Sequence, residues 1–442
     1  MTQPSFASGT DTAFQIDVHH NEYLPQDGQI VDTIVTITAS GEGLPSAAAG
    51  SVSTAQVIMV DCSGSMGYPA TKMSEATRAT ATAIDTLREG VPFAVVAGTH
   101  NAYLVYPPGG HVRMVPANPQ TRAEAKAAVS RLRADGGTAM SHWLDLANRL
   151  FASQPADIRH AILLTDGKNE SESPADLARV LDECEGRFVC DSRGIGQGWI
   201  AEELMKISST LLGEADGLED VSELPATFRA MTETAMGKAA ADVSLRVWTP
   251  ASATIRFLKQ AFPQVEDLTA RRVEVSPRIG DYPTGAWGAE SRDYHLSVEV
   301  ASAAVGDELL AARVSLVSHD QRLAERLVLA KWTDDVVLST RINPQVAHYT
   351  GQEEMASLLR EGVAAMQAGD EEVATAKLGR ARKIALESGH TDTAKLVERV
   401  ADVVDEPTGT VRLKKKEDVD GGIEEIIKVR SVKTTRVKRQ AE

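Results

Sequence analysis

Two short segments, 56–60 and 160–165, consist mainly of β-branched and aliphatic residues. They show no regular alternation with polar residues, which is typical of parallel strands that helices cover on both faces. Four segments with helical periodicity lie between and after them: 71–88, 121–133, 139–151 and 174–184. The order of strands and helices predicts a doubly wound α/β domain, to which we assign residues 51–239.

A different pattern flanks this domain on both sides. Residues 14–18 and 31–38 have the alternation of antiparallel strands, and turn residues separate them. The same pattern returns after residue 238 in five short segments: 242–248, 254–257, 271–276, 294–301 and 308–317. We predict one antiparallel β-sandwich, formed by residues 1–50 and 240–342 and interrupted by the α/β domain.

Helical periodicity takes over in residues 343–406. One apolar stripe is formed by Met355, Leu358, Leu359 and Val363. Two further helices follow after turns that contain Gly369 and Gly389. This pattern predicts a helical hairpin plus one helix. It is compatible with a cap on the β-sandwich and with a hairpin on which a partner docks.

Composition indicates a multi-domain protein. Its 442 residues exceed what one hydrophobic core usually serves, and 43% of them are hydrophobic. The formal net charge of -16 argues against a general nucleic-acid binder. No apolar run reaches the length of a membrane span, and the N-terminus lacks a basic segment followed by an apolar one. We therefore expect a cytoplasmic protein without a membrane span.

Small oxygen-bearing side chains stand where the predicted parallel strands end. Asp61, Ser63 and Ser65 follow the first strand, and Asp166 follows the second. Thr138 stands between them in a glycine turn. Ligands of doubly wound sheets bind at the carboxyl ends of the strands, where the strand order reverses. Carboxylate and hydroxyl oxygens are suited to a hard divalent cation, so the pattern predicts a site for Mg²⁺ or Mn²⁺.

These five residues resemble the metal-ion-dependent adhesion site of the von Willebrand factor type A (VWA) family, over roughly residues 55–238. The resemblance implies a Rossmann-like fold in which the two serines and the threonine contact the metal. It implies that the two aspartates act largely through water, and that a carboxylate of a protein partner completes the coordination shell. A degenerate VWA domain that retains the loop for structure and binds no metal is the alternative.

The last 36 residues, 407–442, are basic, with ten Lys or Arg against six Asp or Glu. We predict a flexible tail. Basic residues flank Thr410, Thr434 and Thr435, as basophilic kinases require, so a Ser/Thr kinase or a forkhead-associated domain protein is a candidate partner. The whole chain resembles actinobacterial VWA proteins associated with such signalling, which implies a bacterial source. A solvated tail without a partner is the alternative.

Enzyme motifs are missing from the sequence. It contains no phosphate loop, no His-Glu-x-x-His and no Gly-x-Ser-x-Gly, and no histidine accompanies Ser63 and Ser65 in their segment. We therefore predict a non-enzymatic, metal-dependent interaction module in a signalling or assembly complex. The alternative is a VWA subunit of a chaperone or metal-insertion complex that an AAA-type ATPase drives.

Overall fold

The computed structural model describes residues 14–40, 52–319 and 321–436. They divide into two compact units. The β unit contains the described residues within 1–52, 238–263 and 267–347, and the α/β unit contains those within 53–237, 264–266 and 348–442. Among the described residues, no helix is both long and apolar enough to cross a bilayer.

The strands of the described residues are, in chain order, β1 (Phe14–His20), β2 (Tyr23–Leu24), β3 (Ile30–Ala39), β4 (Thr54–Asp61), β5 (Pro92–Gly98), β6 (Ala102–Tyr106), β7 (Val115–Pro116), β8 (Ile158–Gly167), β9 (Val189–Gly198), β10 (Ala215–Leu218), β11 (Ala240–Trp248), β12 (Ala253–Phe262), β13 (Glu266–Asp267), β14 (Val273–Ser276), β15 (Ile279–Trp287), β16 (Ser291–Val300), β17 (Glu308–Ser318), β18 (Gln321–Trp332), β19 (Ala401–Asp405) and β20 (Thr410–Leu413).

The α-helices of the same residues are α1 (Thr71–Thr86), α2 (Pro119–Val129), α3 (Met140–Ser153), α4 (Pro174–Cys184), α5 (Ala201–Thr210), α6 (Leu224–Met236), α7 (Val336–Ser339), α8 (Pro344–Ala368), α9 (Glu371–Glu387), α10 (Thr391–Val400) and α11 (Ile423–Arg430). Local sequence explains where two of them begin. Asn118 and Ser173 each accept a hydrogen bond from the backbone three residues later, and a proline follows each of them.

The β unit consists of two sheets. One has the order β1-β3-β16-β12-β13, and the other has the order β14-β15-β11-β17-β18-β2. Strand β16 is antiparallel to β3, with a register that runs from Ser291 opposite Thr38 to Glu299 opposite Ile30. Strands from both sides of the α/β segment therefore share one sheet. This pairing confirms the predicted insertion of an α/β domain into a β-sandwich.

Alternate residues of β3 supply the core of this sandwich. Val31, Val35 and Ile37 are fully buried and belong to one hydrophobic cluster with Leu245 of β11 and Val314 of β17. Burial of side chains of this size stabilises the fold by roughly 1.5–3 kcal/mol each relative to exposure. The cluster contains residues of both sheets, so the two sheets share one core.

The α/β unit contains a sheet with the order β10-β9-β8-β4-β5-β6, in which β7 also pairs with β5. Strands β10, β9, β8, β4 and β5 are parallel, whereas β6 and β7 are antiparallel to β5. The chain proceeds from β4 to β5 on one side and reaches β8 on the other side, so the strand order reverses at β4. Asp61 ends β4, and Asp166 is the penultimate residue of the neighbouring β8.

Helices cover both faces of this sheet. Val57 and Met59 belong to a core that also contains buried residues of α3, α4 and α5. Ile58 and Val60, on the opposite face of β4, belong to a second core with residues of α1, α2 and α6. All eight residues of β4 are buried, as the unbroken apolar run predicts.

The helical region belongs to the α/β unit. From His348 onward, α8, α9 and α10 are part of this unit, and Met355, Leu359 and Val363 join its hydrophobic cluster. The sequence pattern did not distinguish a cap on the β-sandwich from a docking hairpin. All residues of the apolar stripe are buried within the α/β unit.

The predicted flexible tail is wrong for residues 407–436. Residues 407–436 contain β20, which pairs with β19, and α11, and Ile423, Ile426 and Ile427 of α11 are buried. These isoleucines follow the spacing of an amphipathic helix, and their burial favours docking despite the basic composition. Residues 437–442, which the prediction also covers, lie outside the described part of the chain.

Candidate metal site

Asp61 lies at the bottom of the predicted site and is fully buried. Its Oδ1 accepts the Ser63 N–H at 2.7 Å, and its Oδ2 accepts the Thr165 hydroxyl at 2.5 Å. Burial raises the pKa of the Asp61 carboxyl to about 6, and the Asp166 carboxylate adds to the rise. The hydrogen bonds from Ser63 and Thr165 hold both oxygens of the Asp61 carboxylate in place.

Ser63 and Ser65 present their hydroxyls side by side. The two Oγ atoms are 3.0 Å apart, and Ser65 donates to Oδ1 of Asp166 at 2.6 Å. A short 3-10 turn, Gly64–Gly67, follows Ser63 and explains this arrangement, because it bends the chain directly after the strand. Ser63 is buried, whereas Ser65 is exposed, so the site opens to solvent at Ser65.

Backbone hydrogen bonds join the three segments of the site. The Gly64 N–H donates to Gly136 O at 2.8 Å, which connects the serine loop to the loop that contains Thr138. The Thr138 N–H donates to Ser171 Oγ at 3.1 Å, and the Ser171 N–H donates back to Thr138 O at 2.9 Å. Residues that are more than 30 positions apart in sequence are thereby held at one edge of the sheet.

Gly167 shows how closely the hydroxyls converge. An ideal Cβ placed on this residue would lie 3.3 Å from Ser65 Oγ, 3.4 Å from Thr138 Oγ1 and 4.0 Å from Ser63 Oγ. Three hydroxyls therefore surround one point beside the end of β8. The structure brings all five predicted residues together, although their role as ligands stays a prediction.

This arrangement suits a hard divalent cation. The donors are three hydroxyls and two carboxylates, the oxygen ligands that Mg²⁺ and Mn²⁺ prefer. Within the described part of the chain, no cluster of three or more His, Cys, Asp or Glu residues exists that could hold a metal ion. The hydroxyls of Ser63, Ser65 and Thr138 are the further oxygen donors that this site offers beside its two carboxylates.

Lys72 is a member of the site that sequence reasoning missed. Its Nζ donates to Oδ2 of Asp166 at 2.5 Å, and both side chains are largely buried. Two ionised carboxylates and one ammonium give the site a net charge of −1. Lys72 lies in the first turn of α1, and no local signal in the sequence distinguishes it from a surface lysine.

A second layer of polar residues positions the start of α3, directly after Thr138. Asn169 Oδ1 accepts the Met140 N–H at 2.8 Å, and a carboxylate oxygen of Glu172 accepts the Ser141 N–H at 3.0 Å. Glu203 accepts the Asn169 N–H at 3.0 Å, and burial raises the pKa of Glu203. The loop after β8 thus holds the helix that follows Thr138.

His142 does not belong to this arrangement. Its side chain is exposed on α3, and its Nδ1 lies 2.9 Å from His100 O. A groove of about 800 Å³ lies elsewhere, between α8, α9 and β20, where Glu354, Arg380 and Lys383 are among its lining residues. Its mixed charge indicates no particular ligand, and it is separate from the predicted metal ligands.

Comparisons with known proteins agree with the fold. A family model described as von Willebrand factor type A domain matches residues 56–168, and one described as von Willebrand factor type A C-terminal domain matches residues 383–421. Comparison with curated protein sequences gives no match.

Many solved structures are similar to this chain, and three of them illustrate the range of identity. One, von Willebrand factor type A from Catenulispora acidiphila, is 49% identical with a TM-score of 0.90, and the match covers 98% of this chain and 99% of that one. The ArnB paralog VWA2 from Sulfolobus acidocaldarius is 13% identical with a TM-score of 0.56, over 96% of this chain and 100% of that one. At that identity the likeness concerns the fold alone.

The third structure is proximal thread matrix protein 1 from the mussel byssus, with a zinc-occupied metal-ion-dependent adhesion site (MIDAS) motif. It is 19% identical over 41% of this chain and 46% of that one, with a TM-score of 0.34. The structure from Catenulispora acidiphila matches almost the whole chain, including the β unit and the C-terminal region. This chain therefore belongs to the von Willebrand factor type A family.

Proposed function

We propose that this chain is a non-enzymatic interaction protein of the cytoplasm that binds Mg²⁺ or Mn²⁺ and, through the metal, an Asp or Glu of a partner protein. The convergence of three hydroxyls beside Gly167, above two buried carboxylates, supports this proposal most strongly. Ser63, Ser65 and Thr138 would be the direct ligands. Asp61 and Asp166 would order water around the metal, because their oxygens are already occupied by protein donors.

Charge explains why the partner would depend on the metal. The ionised site has a net charge of −1 from Asp61, Asp166 and Lys72, and the whole chain has a formal charge of -16. An acidic partner is repelled by such a surface. A bound divalent cation makes the site net positive and supplies a Lewis-acidic position for a carboxylate. The exposed edge at Ser65 leaves that position accessible to a partner.

Calorimetry with Mg²⁺ and Mn²⁺ tests the metal site. We expect Ser63→Ala and Asp166→Asn to weaken binding by roughly 10- to 100-fold, since each removes a ligand or a group that orders one. Glu183→Gln is the control, because Glu183 is an exposed residue of α4 that pairs with Arg179. Equal affinity in wild type and Ser63→Ala would refute the assignment of the site.

Partner capture tests the second half of the proposal. We expect wild type to retain an acidic partner in Mg²⁺ and to lose it in EDTA, whereas Ser65→Ala should lose it in both conditions. A partner that stays bound in EDTA would show that the interaction uses another surface.

Phosphorylation of the C-terminal region is a separate proposal for a signalling role. Thr410 on β20 and Thr435 are exposed, whereas Thr434 is largely buried. The Thr435 hydroxyl lies 3.0 Å from His390 Nε2. Thr410 would therefore be the most accessible of the three threonines for a Ser/Thr kinase and for a forkhead-associated reader domain. Peptide mapping after incubation with a basophilic kinase tests this order of accessibility.

A further inference from the structure

The last described residues, 421–436, form a segment that lies across the α/β unit, which we call the C-terminal strap. It consists of two glycines, helix α11, a turn at Ser431 and Val432, and a stretch without regular secondary structure that ends at Arg436. Lys433 forms an isolated antiparallel bridge with Gln264, and the Val265 N–H donates to Val432 O at 2.7 Å. The strap is therefore held by hydrogen bonds well beyond its helix.

Gln352 of α8 holds the end of the strap through its backbone. The Gln352 amide donates to Thr435 O at 2.8 Å and accepts the Thr435 N–H at 2.8 Å, as a neighbouring strand would. Gln352 is fully buried. His348 Nε2 lies 2.8 Å from the same carbonyl oxygen, and His390 Nε2 lies 2.7 Å from Gln352 Oε1 and 3.0 Å from Thr435 Oγ1. These contacts form a built site for an extended peptide.

Asp216 of β10 holds the middle of the strap by charge. Arg430 Nε donates to Asp216 Oδ1 at 2.9 Å, and Lys433 Nζ donates to Oδ2. Arg430 also donates to Gly217 O at 3.0 Å. Asp216 is largely buried, with 17% of its side chain exposed, whereas Arg430 and Lys433 have 32% and 41% of theirs exposed, so solvent and salt screen the two ion pairs in part.

The start of the strap packs against the end of β9. A Cβ on Gly422 would lie 2.6 Å from Gly196 O, and a Cβ on Gly421 would lie 2.2 Å from the Gln197 side chain. Gly422 in particular has a φ of +85° and approaches backbone atoms, so a larger residue would not fit at this position. Glu425 accepts the N–H of Ala201 at 2.7 Å and so caps the first turn of α5.

The end of β9 in turn adjoins the metal site. A Cβ on Gly198 would lie 2.6 Å from Asp166 O, and a Cβ on Gly196 would lie 3.0 Å from Lys72 Cε. Lys72 itself donates to the Asp166 carboxylate. Two short chains of contacts therefore lead from the strap to Asp166, one through the backbone of β9 and one through Lys72.

We propose that the C-terminal strap is an intramolecular ligand of the α/β unit whose docking holds Asp166 in place and thereby raises the affinity of the metal site. The inference rests on the proposed function, because it concerns the regulation of the same site. Release of the strap frees the end of β9 and gives Lys72 room to move. Asp166 then loses its fixed orientation, and metal binding must offset the free-energy cost of ordering it again.

Thermodynamic linkage makes the proposal testable in both directions. If docking of the strap strengthens metal binding by some factor, metal binding must strengthen docking by the same factor. Couplings between sites usually amount to about 5- to 150-fold. A strap with a purely structural role would stabilise the fold and show no dependence on the metal.

The test combines hydrogen exchange and calorimetry on the full chain. Asp216→Asn removes the carboxylate of β10 that pairs with Arg430 and Lys433. Lys433→Ala removes one of the two cations of the strap instead, and it serves as a second variant if Asp216→Asn folds poorly. We expect faster exchange of the amides of 421–436 in both variants and a Kd for Mn²⁺ raised by about fivefold or more. In wild type, Mn²⁺ should slow exchange of the same amides.

Glu354→Gln is the matched control, because Glu354 lies on α8 two residues after Gln352 and pairs with Arg380. It should change neither measurement. Faster exchange of the strap with an unchanged Kd would overturn the coupling, and so would unchanged exchange in both variants. If wild type does not bind Mn²⁺ at all, the proposed function itself is refuted.

Discussion

Asp216 illustrates how a single charged residue on a sheet edge can hold a distant segment. Burial by itself would raise the pKa of the Asp216 carboxyl. The positive charges of Lys433 and Arg430 have a larger opposite effect, so the pKa lies below its ordinary value of 3.8. Because the pKa is lower in the folded state than in the unfolded state, the ion pairs stabilise the protein above about pH 4. This contribution is lost as the pH falls through the folded-state pKa.

We expect Asp216→Asn to lower the free energy of unfolding at pH 7 by roughly 1–3 kcal/mol, because the variant leaves two cations without their shared carboxylate. Urea titrations at several pH values should show the difference from wild type shrinking below about pH 4. Asp392→Asn, which affects an exposed ion pair with Lys395, should have little effect. A difference that is independent of pH would contradict the argument.

Among the elements, the loop between α2 and α3 has the strictest backbone requirement at the metal site. Gly136 has a φ of +83°, and a Cβ on this residue would lie 2.7 Å from His100 Nδ1. The Gly136 carbonyl also accepts the hydrogen bond that joins this loop to the serine loop. Displacement of Gly136 would therefore move Thr138 relative to Ser63 and Ser65.

We expect Gly136→Ala to destabilise the protein more than Gly90→Ala, although Gly90 has nearly the same φ, +82°. Apart from its chain neighbours, no atom of the described residues lies within 4 Å of the position that an alanine Cβ would occupy at Gly90. Its substitution therefore costs only the backbone strain of about 1–2 kcal/mol. Gly136→Ala adds the contact with His100 and should weaken Mn²⁺ binding. Thermal melts and calorimetry on both variants measure the two effects, and equal behaviour would contradict this account.

At the scale of the whole molecule, the β unit depends on strands that are far apart in sequence. Strand β16 lies between β3 and β12, so removal of the N-terminal strands leaves β16 with one unpaired edge. Leu296 and Val298 of β16, both fully buried, belong to the same cluster as Val31 and Val35 of β3. The second half of the sandwich therefore lacks part of its core when it is alone.

A fragment of residues 240–347 should consequently show no cooperative thermal melt in near-ultraviolet circular dichroism. Addition of the N-terminal strands, through a fusion that joins residue 40 to residue 238 by a short flexible linker, should restore one. The fusion is the control, because it contains the same residues as the fragment and shows whether they fold once the N-terminal strands are present. A cooperative melt of the fragment by itself would contradict the dependence on β3.

The α/β sheet and its five oxygen-bearing residues could be predicted because their signals are local. An unbroken apolar run marks a strand that is buried on both faces, and a polar residue directly after it must lie at the carboxyl end of that strand. Asp61 and Asp166 therefore lie at the same edge of the sheet, because both follow parallel strands. The interrupted sandwich was predictable for the same reason, since its strands have the same alternation on both sides of the insertion.

Lys72, Thr165 and the C-terminal strap depend instead on contacts that no short segment specifies. Lys72 is 94 residues from Asp166, Gln352 is 83 residues from Thr435, and Arg430 is 214 residues from Asp216. The composition of the tail suggested a solvated end, although the isoleucines of α11 have helical spacing. Where that apolar face is buried, and which carboxylates the basic residues meet, follows from long-range packing, because a charged side chain acquires its role only when folding brings its partner within a few ångströms.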